Sequence, residues 1–412
     1  MRARDIFRPT EILLPDFSRV DGTRWATVAC DQYTSQPDYW ERVARFVGDA
    51  PSSLRLMLPE LYLSESDSRI PQIHRAMEKA LNDLLIPYPD SMILVERTQA
   101  DGRVRRGIVG AVDLEAYDFR AGAVSPIRAT EGTVLERIPP RVRIRRNAPL
   151  EMPHVILLFD DPRDTVFGSL LSARASLPLL YDFDLMENGG HLRGYRLDAD
   201  RQAALTDALD TLTEGQGSNP LLFAVGDGNH SLATAKTAYE EVKAALGADA
   251  ARSHPARYAL VEIENIHDPA LDFEPIYRVV TDCDTADFLS ELGKITGEKK
   301  RCAHTVRVIT ESEDKEISFL RKSHALTVGT LQNFIDDYME KHPGVKCDYI
   351  HDEDALIDLA KRKNSVGFIF GGMKKNELFP YVQKNGTLPR KTFSMGEARS
   401  KRYYIEARKI TK

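Results

Sequence analysis

Apolar positions change their period along this chain, and the changes mark out its elements. Leu221–Val225 is an unbroken apolar run of the length of a buried strand. Gly226 and Gly228 follow around Asp227, then Asn229, His230 and Ser231. Beyond them the period becomes helical, with Leu232, Ala235, Tyr239, Val242 and Leu246 on one face. The reading over 221–246 is therefore strand, tight polar turn, helix. Residues 70–86 predict an amphipathic helix through Ile73, Met77, Ala80, Leu81 and Leu84, and a further helix covers Asp198–Leu212. Met92–Arg97 and Arg106–Val112 alternate about Ala100-Asp101-Gly102 as a hairpin, and Leu177–Met186 with His191–Leu197 form a second about Asn188-Gly189-Gly190. Strands are predicted at Trp25–Cys30, Val155–Phe159, Tyr258–Ile266 and Phe273–Val280, with a helix over Tyr39–Val47 after Pro37 and Asp38. Past residue 298 a hairpin (Thr305–Glu311, Glu316–Phe319), helices at Thr330–Lys341 and Asp352–Lys363, and a strand at Val366–Phe370 complete the pattern.

The chain has 412 residues, room for two or three domains. A net charge of −6 disfavours a dedicated nucleic-acid binder, which is usually basic. No apolar run approaches the ~20 residues of a membrane span. The opening MRARDIFRPTEILLPD has no apolar signal-peptide core, so a cytoplasmic location is expected. Cys30, Cys283, Cys302 and Cys347 are widely separated and suggest neither a disulfide framework nor a zinc site. The oligomeric state is not legible.

Candidate chemistry gathers at two places. A strand–turn–helix aims the unpaired N–H groups of a helix N-terminus out of the turn, where they bind anions such as phosphate. Glycines at 226 and 228 permit positive φ and close backbone approach, and Asp227 offers a carboxylate for a metal ion or a proton. The alternative is a turn whose Asn229 or Ser231 merely caps the helix. The segment is neither a Walker A loop, lacking Gly-Lys-Ser/Thr, nor a dinucleotide fingerprint, lacking a third glycine. The second place is Ser125–Pro149, where Arg128, Arg137, Arg141, Arg143, Arg145 and Arg146 surround Glu131 and Glu136. Those arginines either serve a local anion or pair with acids elsewhere. The polar loop after Cys30 (Asp31, Gln32, Tyr33, Thr34) reads either as active-site wall or as surface, and Cys30 as a buried thiol rather than a nucleophile.

Four segments, ACDQYTSQPDYW, GDGNHSLATAK, NIHDPALDFEPIYRVV and LPRKTFSMGEARSKRYY, make the whole chain similar to a bacterial family called "domain of unknown function 1015". Thr130-Glu131-Gly132-Thr133 and Asp227-Gly228-Asn229-His230-Ser231, in that order, also resemble the paired motifs of the ParB/sulfiredoxin superfamily, the free serine kinases above all. That resemblance implies a mixed α/β fold. Its parts are an N-terminal α/β region (1–122), a ParB/sulfiredoxin-like nucleotide-binding core (123–290) and a C-terminal α/β domain (298–412) capping a cleft. It implies a nucleotide-dependent phosphotransferase acting on a small hydroxyl metabolite, free serine or O-phosphoserine, in either direction, with ATP or ADP and Mg²⁺. Glu131 would be the base or serine-positioning group, Asp227 a base or the Mg²⁺ ligand, and His230 either a ligand contact or structural. Gly226, Gly228, Asn229 and Ser231 would line the phosphates with Arg128, Arg137 and Arg141. Ser231 stands where the kinases have arginine, so Arg137, Arg141 or Lys236 would have to supply the cation. The alternative reading is a CTP- or ATP-binding switch without kinase activity.

Overall fold

The computed structural model describes residues 2–298 and 304–412, so Cys302 lies outside the described residues. The fold is mixed α/β, and its contacts divide it into two units. The first comprises Met1–Leu271 with Phe379–Thr387 and Glu397–Lys412; the second comprises Asp272–Leu378 with Leu388–Gly396.

Ten strands of the first unit form one sheet. They are β1 (Phe7–Arg8), β2 (Ile93–Thr98), β3 (Val104–Asp113), β4 (Tyr117–Asp118), β5 (Ile127–Arg128), β6 (Ile156–Phe159), β7 (Leu179–Leu185), β8 (Gly190–Arg196), β9 (Phe223–Asp227) and β10 (Tyr258–Asn265). The order is β7-β8-β2-β3-β10-β6-β9-β5-β4, with β1 paired to β3, so strands from both sides of residue 122 share the sheet. Pairing is mixed: β6 runs parallel to β10 but antiparallel to β9, and β9 runs parallel to β5. Both expected hairpins form, β2 with β3 and β7 with β8. Alternation buries both faces. Leu94, Ile108, Val261 and Ile263 enter one core, while Ile93, Val95, Val109 and Leu260 enter the other.

The longer helices of the first unit include α1 (Pro37–Val47), α2 (Ser66–Asp83), α3 (Ile138–Arg145), α4 (Ala199–Thr211) and α5 (Asn229–Leu246). Leu205 and Leu209 of α4 and Leu232, Ala235 and Tyr239 of α5 pack into the first core. Tyr39, Trp40 and Val43 of α1 pack into the second. The strand expected over Trp25–Cys30 shrinks to Thr27–Val28, because Asp21 accepts from the Thr23 amide at 2.9 Å and starts a short helix, Gly22–Trp25. The strand expected over Phe273–Val280 is two, Phe273–Pro275 and Tyr277–Thr281, each pairing in a different sheet.

The second unit holds a six-stranded sheet in which Val366–Ile369 lies between Thr305–Ile309 and Tyr277–Thr281. Its core gathers Phe288, Leu331, Ile335 and Phe368. Among the described residues no helix is long and apolar enough to cross a membrane.

The last residues form a strap on the first unit. Tyr403–Tyr404 pairs antiparallel with Thr27–Val28, and Arg408–Lys409 with Leu150–Glu151. Buried Arg97, on β2, donates to the carbonyls of Arg399, Ser400 and Lys401, and Arg105 of β3 donates to the Ser400 carbonyl at 2.8 Å. Arg402 Nη1 pairs with Glu262 at 3.0 Å and Nη2 with Glu406 at 2.7 Å, all three buried. Gly107 leaves the space Glu262 needs, since a Cβ there would sit 2.0 Å from the Glu262 carboxylate. Polar residues on one sheet face thus clamp the strap and decide where its side chains point.

Candidate active site

The site is built where β9 ends. Gly228 adopts φ 78° and ψ 31°, a left-handed conformation that suits glycine, and α5 starts at the next residue. No side chain caps this 18-residue helix, so neither Asn229 nor Ser231 serves as the N-cap. Asn229 instead fastens the turn to the neighbouring segment. Its Oδ1 accepts from the Thr130 amide at 3.2 Å and its Nδ2 donates to Thr130 Oγ1 at 3.3 Å. Thr130 Oγ1 in turn donates to the Val225 carbonyl at 2.6 Å. His230 Nε2 accepts from the Val134 amide at 3.3 Å.

These bonds lie beyond the parallel pairing of β5 and β9, in which Ile127 is opposite Phe223 and Arg128 opposite Ala224. Glu131 stands three residues beyond Arg128, and Asp227 three beyond Ala224. Asp227 is thus the last residue of β9, and Glu131 follows the bend at Thr130 just beyond β5. Glu131 and Ser231 are half-buried, as is Gly226.

Asp227 Oδ1 accepts from the Gly228 amide at 3.0 Å, and Oδ2 lies 3.4 Å from Lys401 Nζ of the strap. Both side chains of that pair are largely buried. Beside it, the Asp31 carboxyl takes a bond from Gln32 at 3.0 Å. Burial alone would raise the Asp31 carboxyl, but His154, the Gln32 amide and Lys401 outweigh it and hold it below the ordinary carboxylate range. The loop after Cys30 is thus part of this polar cluster. Burial, with Asp31 nearby, pushes the Cys30 thiol up to about 12, which leaves it inert as a nucleophile.

Of the arginines expected to bind phosphate, Arg128 and Arg141 are committed elsewhere. Arg128 is buried and donates to the carbonyls of Ser125 and Pro220 at 2.8 and 3.0 Å and to Asn219, so it braces a loop. Arg141 pairs with Glu60 and donates to the Arg137 carbonyl at 2.6 Å. Arg137 is exposed at the N-terminus of α3. Arg143 pairs with Asp67, Arg145 with Glu151 and Arg146 with Glu241. Lys236 pairs with Glu240 at 2.8 Å. The cation placed at the turn is Lys401, which sequence reasoning missed. The available signal was its place in LPRKTFSMGEARSKRYY, a segment read above only for family likeness.

Among the described residues no group of three or more His, Cys, Asp or Glu side chains is arranged to hold a metal ion. Asp227, the expected ligand, faces an ammonium group instead.

Residues 14–364 match the family described as "Protein of unknown function (DUF1015)". No curated protein matches the chain. Among solved structures, a free serine kinase mutant in complex with AMP is similar at 11% identity and TM-score 0.41, covering 74% of this chain and 92% of that one. SbnI with a C-terminal truncation, from Staphylococcus aureus, is similar at 10% identity and TM-score 0.37, covering 70% and 82%. A conserved hypothetical protein from Pyrococcus furiosus is similar at 11% identity and TM-score 0.36, covering 73% and 94%.

Proposed function

The chain belongs to the DUF1015 family, whose description assigns no activity, and we propose from its geometry that the first unit is a nucleotide-dependent phosphotransferase. The observation that carries this reading is the uncapped N-terminus of α5, entered through a left-handed glycine, with Lys401 beside it. Helix N–H groups and a partly buried ammonium together suit the phosphates of a nucleoside di- or triphosphate. Phosphoryl transfer asks little covalent help of a protein; it needs charge neutralisation, placement and a group to take the hydroxyl proton.

Glu131, just beyond the strand that pairs with β9, is the group we assign to receive that proton from a small hydroxyl acceptor. Asp227 holds Lys401 and the turn rather than a metal. Mg²⁺ would arrive as the nucleotide's own counter-ion. Free serine as acceptor, with O-phosphoserine as its product or as the phosphoryl donor in reverse, is favoured by the motif resemblance.

A thermal-shift panel of ATP, ADP, CTP and GTP with Mg²⁺, with and without serine or phosphoserine, tests the reading on wild type and Asp227→Asn. Expected is a nucleotide-specific rise of the midpoint that the substitution reduces and that serine or phosphoserine enlarges. Incubation with nucleotide and serine should then move phosphate onto serine or back. Binding without transfer would favour a nucleotide-operated switch. No shift with any nucleotide at millimolar concentration would end the phosphate reading of this turn.

A further inference from the structure

His154 belongs to none of the motifs above, yet it lies against the start of α5. Its ring is 8% exposed. One edge is fixed: Nδ1 is 2.7 Å from the Tyr404 hydroxyl of the strap, and that hydroxyl also accepts from the Cys30 amide at 3.1 Å. The opposite edge, Cδ2–Nε2, faces the left-handed glycine. A Cβ on Gly228 would meet His154 Cδ2 at 3.3 Å. Among the described residues Nε2 has no hydrogen-bond partner.

Nε2 is therefore the ring nitrogen that a ligand at the helix start can meet. With the Cys30 amide occupying the Tyr404 oxygen, the phenol's own proton is available to Nδ1. Where the Tyr404 hydroxyl donates to Nδ1, the ring's own proton is on Nε2, which is then a donor. The donor sits beside the uncapped helix start, where anionic oxygens are favoured. We propose that His154 is a ligand-contacting residue of this site, donating through Nε2 to an oxygen of the bound phosphates, with Tyr404 as the positioning residue that aims it. This inference rests on the phosphate-binding reading of the turn. It also gives the strap two contributions to the site, since Lys401 supplies charge and Tyr404 sets the histidine.

Calorimetric titration of ADP into the full chain, compared with His154→Gln and Tyr404→Phe, tests it. Long-range ¹H–¹⁵N correlation of the wild-type imidazoles would accompany the titration. Expected is at least tenfold weaker ADP binding in His154→Gln and a smaller loss in Tyr404→Phe. In the wild type the His154 signals should show an Nε2-protonated ring whose Nε2 resonance moves on ADP addition. The wild-type resonance shift and the Tyr404→Phe variant decide the matter should His154→Gln not fold. Equal ADP affinity in wild type and variants, with an unmoved Nε2 signal, would overturn the histidine's role and leave the phosphate reading standing. Absence of ADP binding in the wild type itself would overturn both.

Discussion

Lys401 Nζ lies 3.4 Å from Asp227 Oδ2, so a residue near the chain's end supplies the cation to a turn formed in its middle. Arg97 and Arg105 hold the strap by its backbone carbonyls, which leaves Lys401 little freedom to swing away. A charge-assisted contact from such a fixed ammonium to phosphate is worth more than one from a mobile surface lysine. Lys401→Met is expected to weaken ADP binding about tenfold, or ~1.4 kcal/mol. Lys401→Arg should recover part of that affinity. Calorimetric titration of the three proteins checks the order; equal affinities would remove Lys401 from the site.

The strap itself depends on Arg402. Its guanidinium is 3% exposed and sits between Glu262 and Glu406, and Glu406 also accepts from the Tyr181 hydroxyl at 2.6 Å. Removing the arginine leaves two carboxylates in a buried region with too little positive charge. Breaking a buried pair in this way costs roughly 3–5 kcal/mol. Arg402→Met should therefore lower the urea midpoint strongly, whereas Arg120→Ala, which removes an exposed pair with Asp118, should shift it hardly at all. Both tryptophans, Trp25 and Trp40, are buried in the first unit, so their fluorescence follows this transition specifically.

Sequence pattern makes the local parts of this site legible and the assembled site only partly so. The strand–turn–helix at Gly226–Ser231 can be read because an apolar run, two glycines and a helical period are contiguous signals. The β2–β3 hairpin is legible for the same reason, with alternation on both sides of a turn. The arginines of 128–146 show where spacing stops being informative. Their number suggests an anion site, but Glu60, Asp67, Glu151 and Glu241 reach four of them from other parts of the fold. Lys401, Tyr404 and His154 come together only through sheet register and the returning strap, and no local pattern marks such contacts.

Glu264 carries the clearest pH dependence. Burial, reinforced by Glu262 and Asp268, pushes its carboxyl up to about 8 although Arg105 Nε lies 3.0 Å from it. The folded chain therefore keeps a proton there that the unfolded chain releases above its ordinary value of 4.5. Where the folded state binds more protons, stability falls as pH rises, so this residue lowers stability progressively from about pH 4.5 to about 8 and no further beyond. Glu264→Gln keeps the shape and removes the titration. Its stability relative to wild type should climb across that window by an amount on the order of a few kcal/mol, and level off in more alkaline solution. Thermal midpoints of both proteins from acid to mildly alkaline pH provide the check. Parallel curves would mean that the Glu264–Arg105 pair is charged throughout. A converging and then crossing pair of curves would place the proton on Glu264 in the folded protein, directly beneath the arginine that holds Ser400 of the strap.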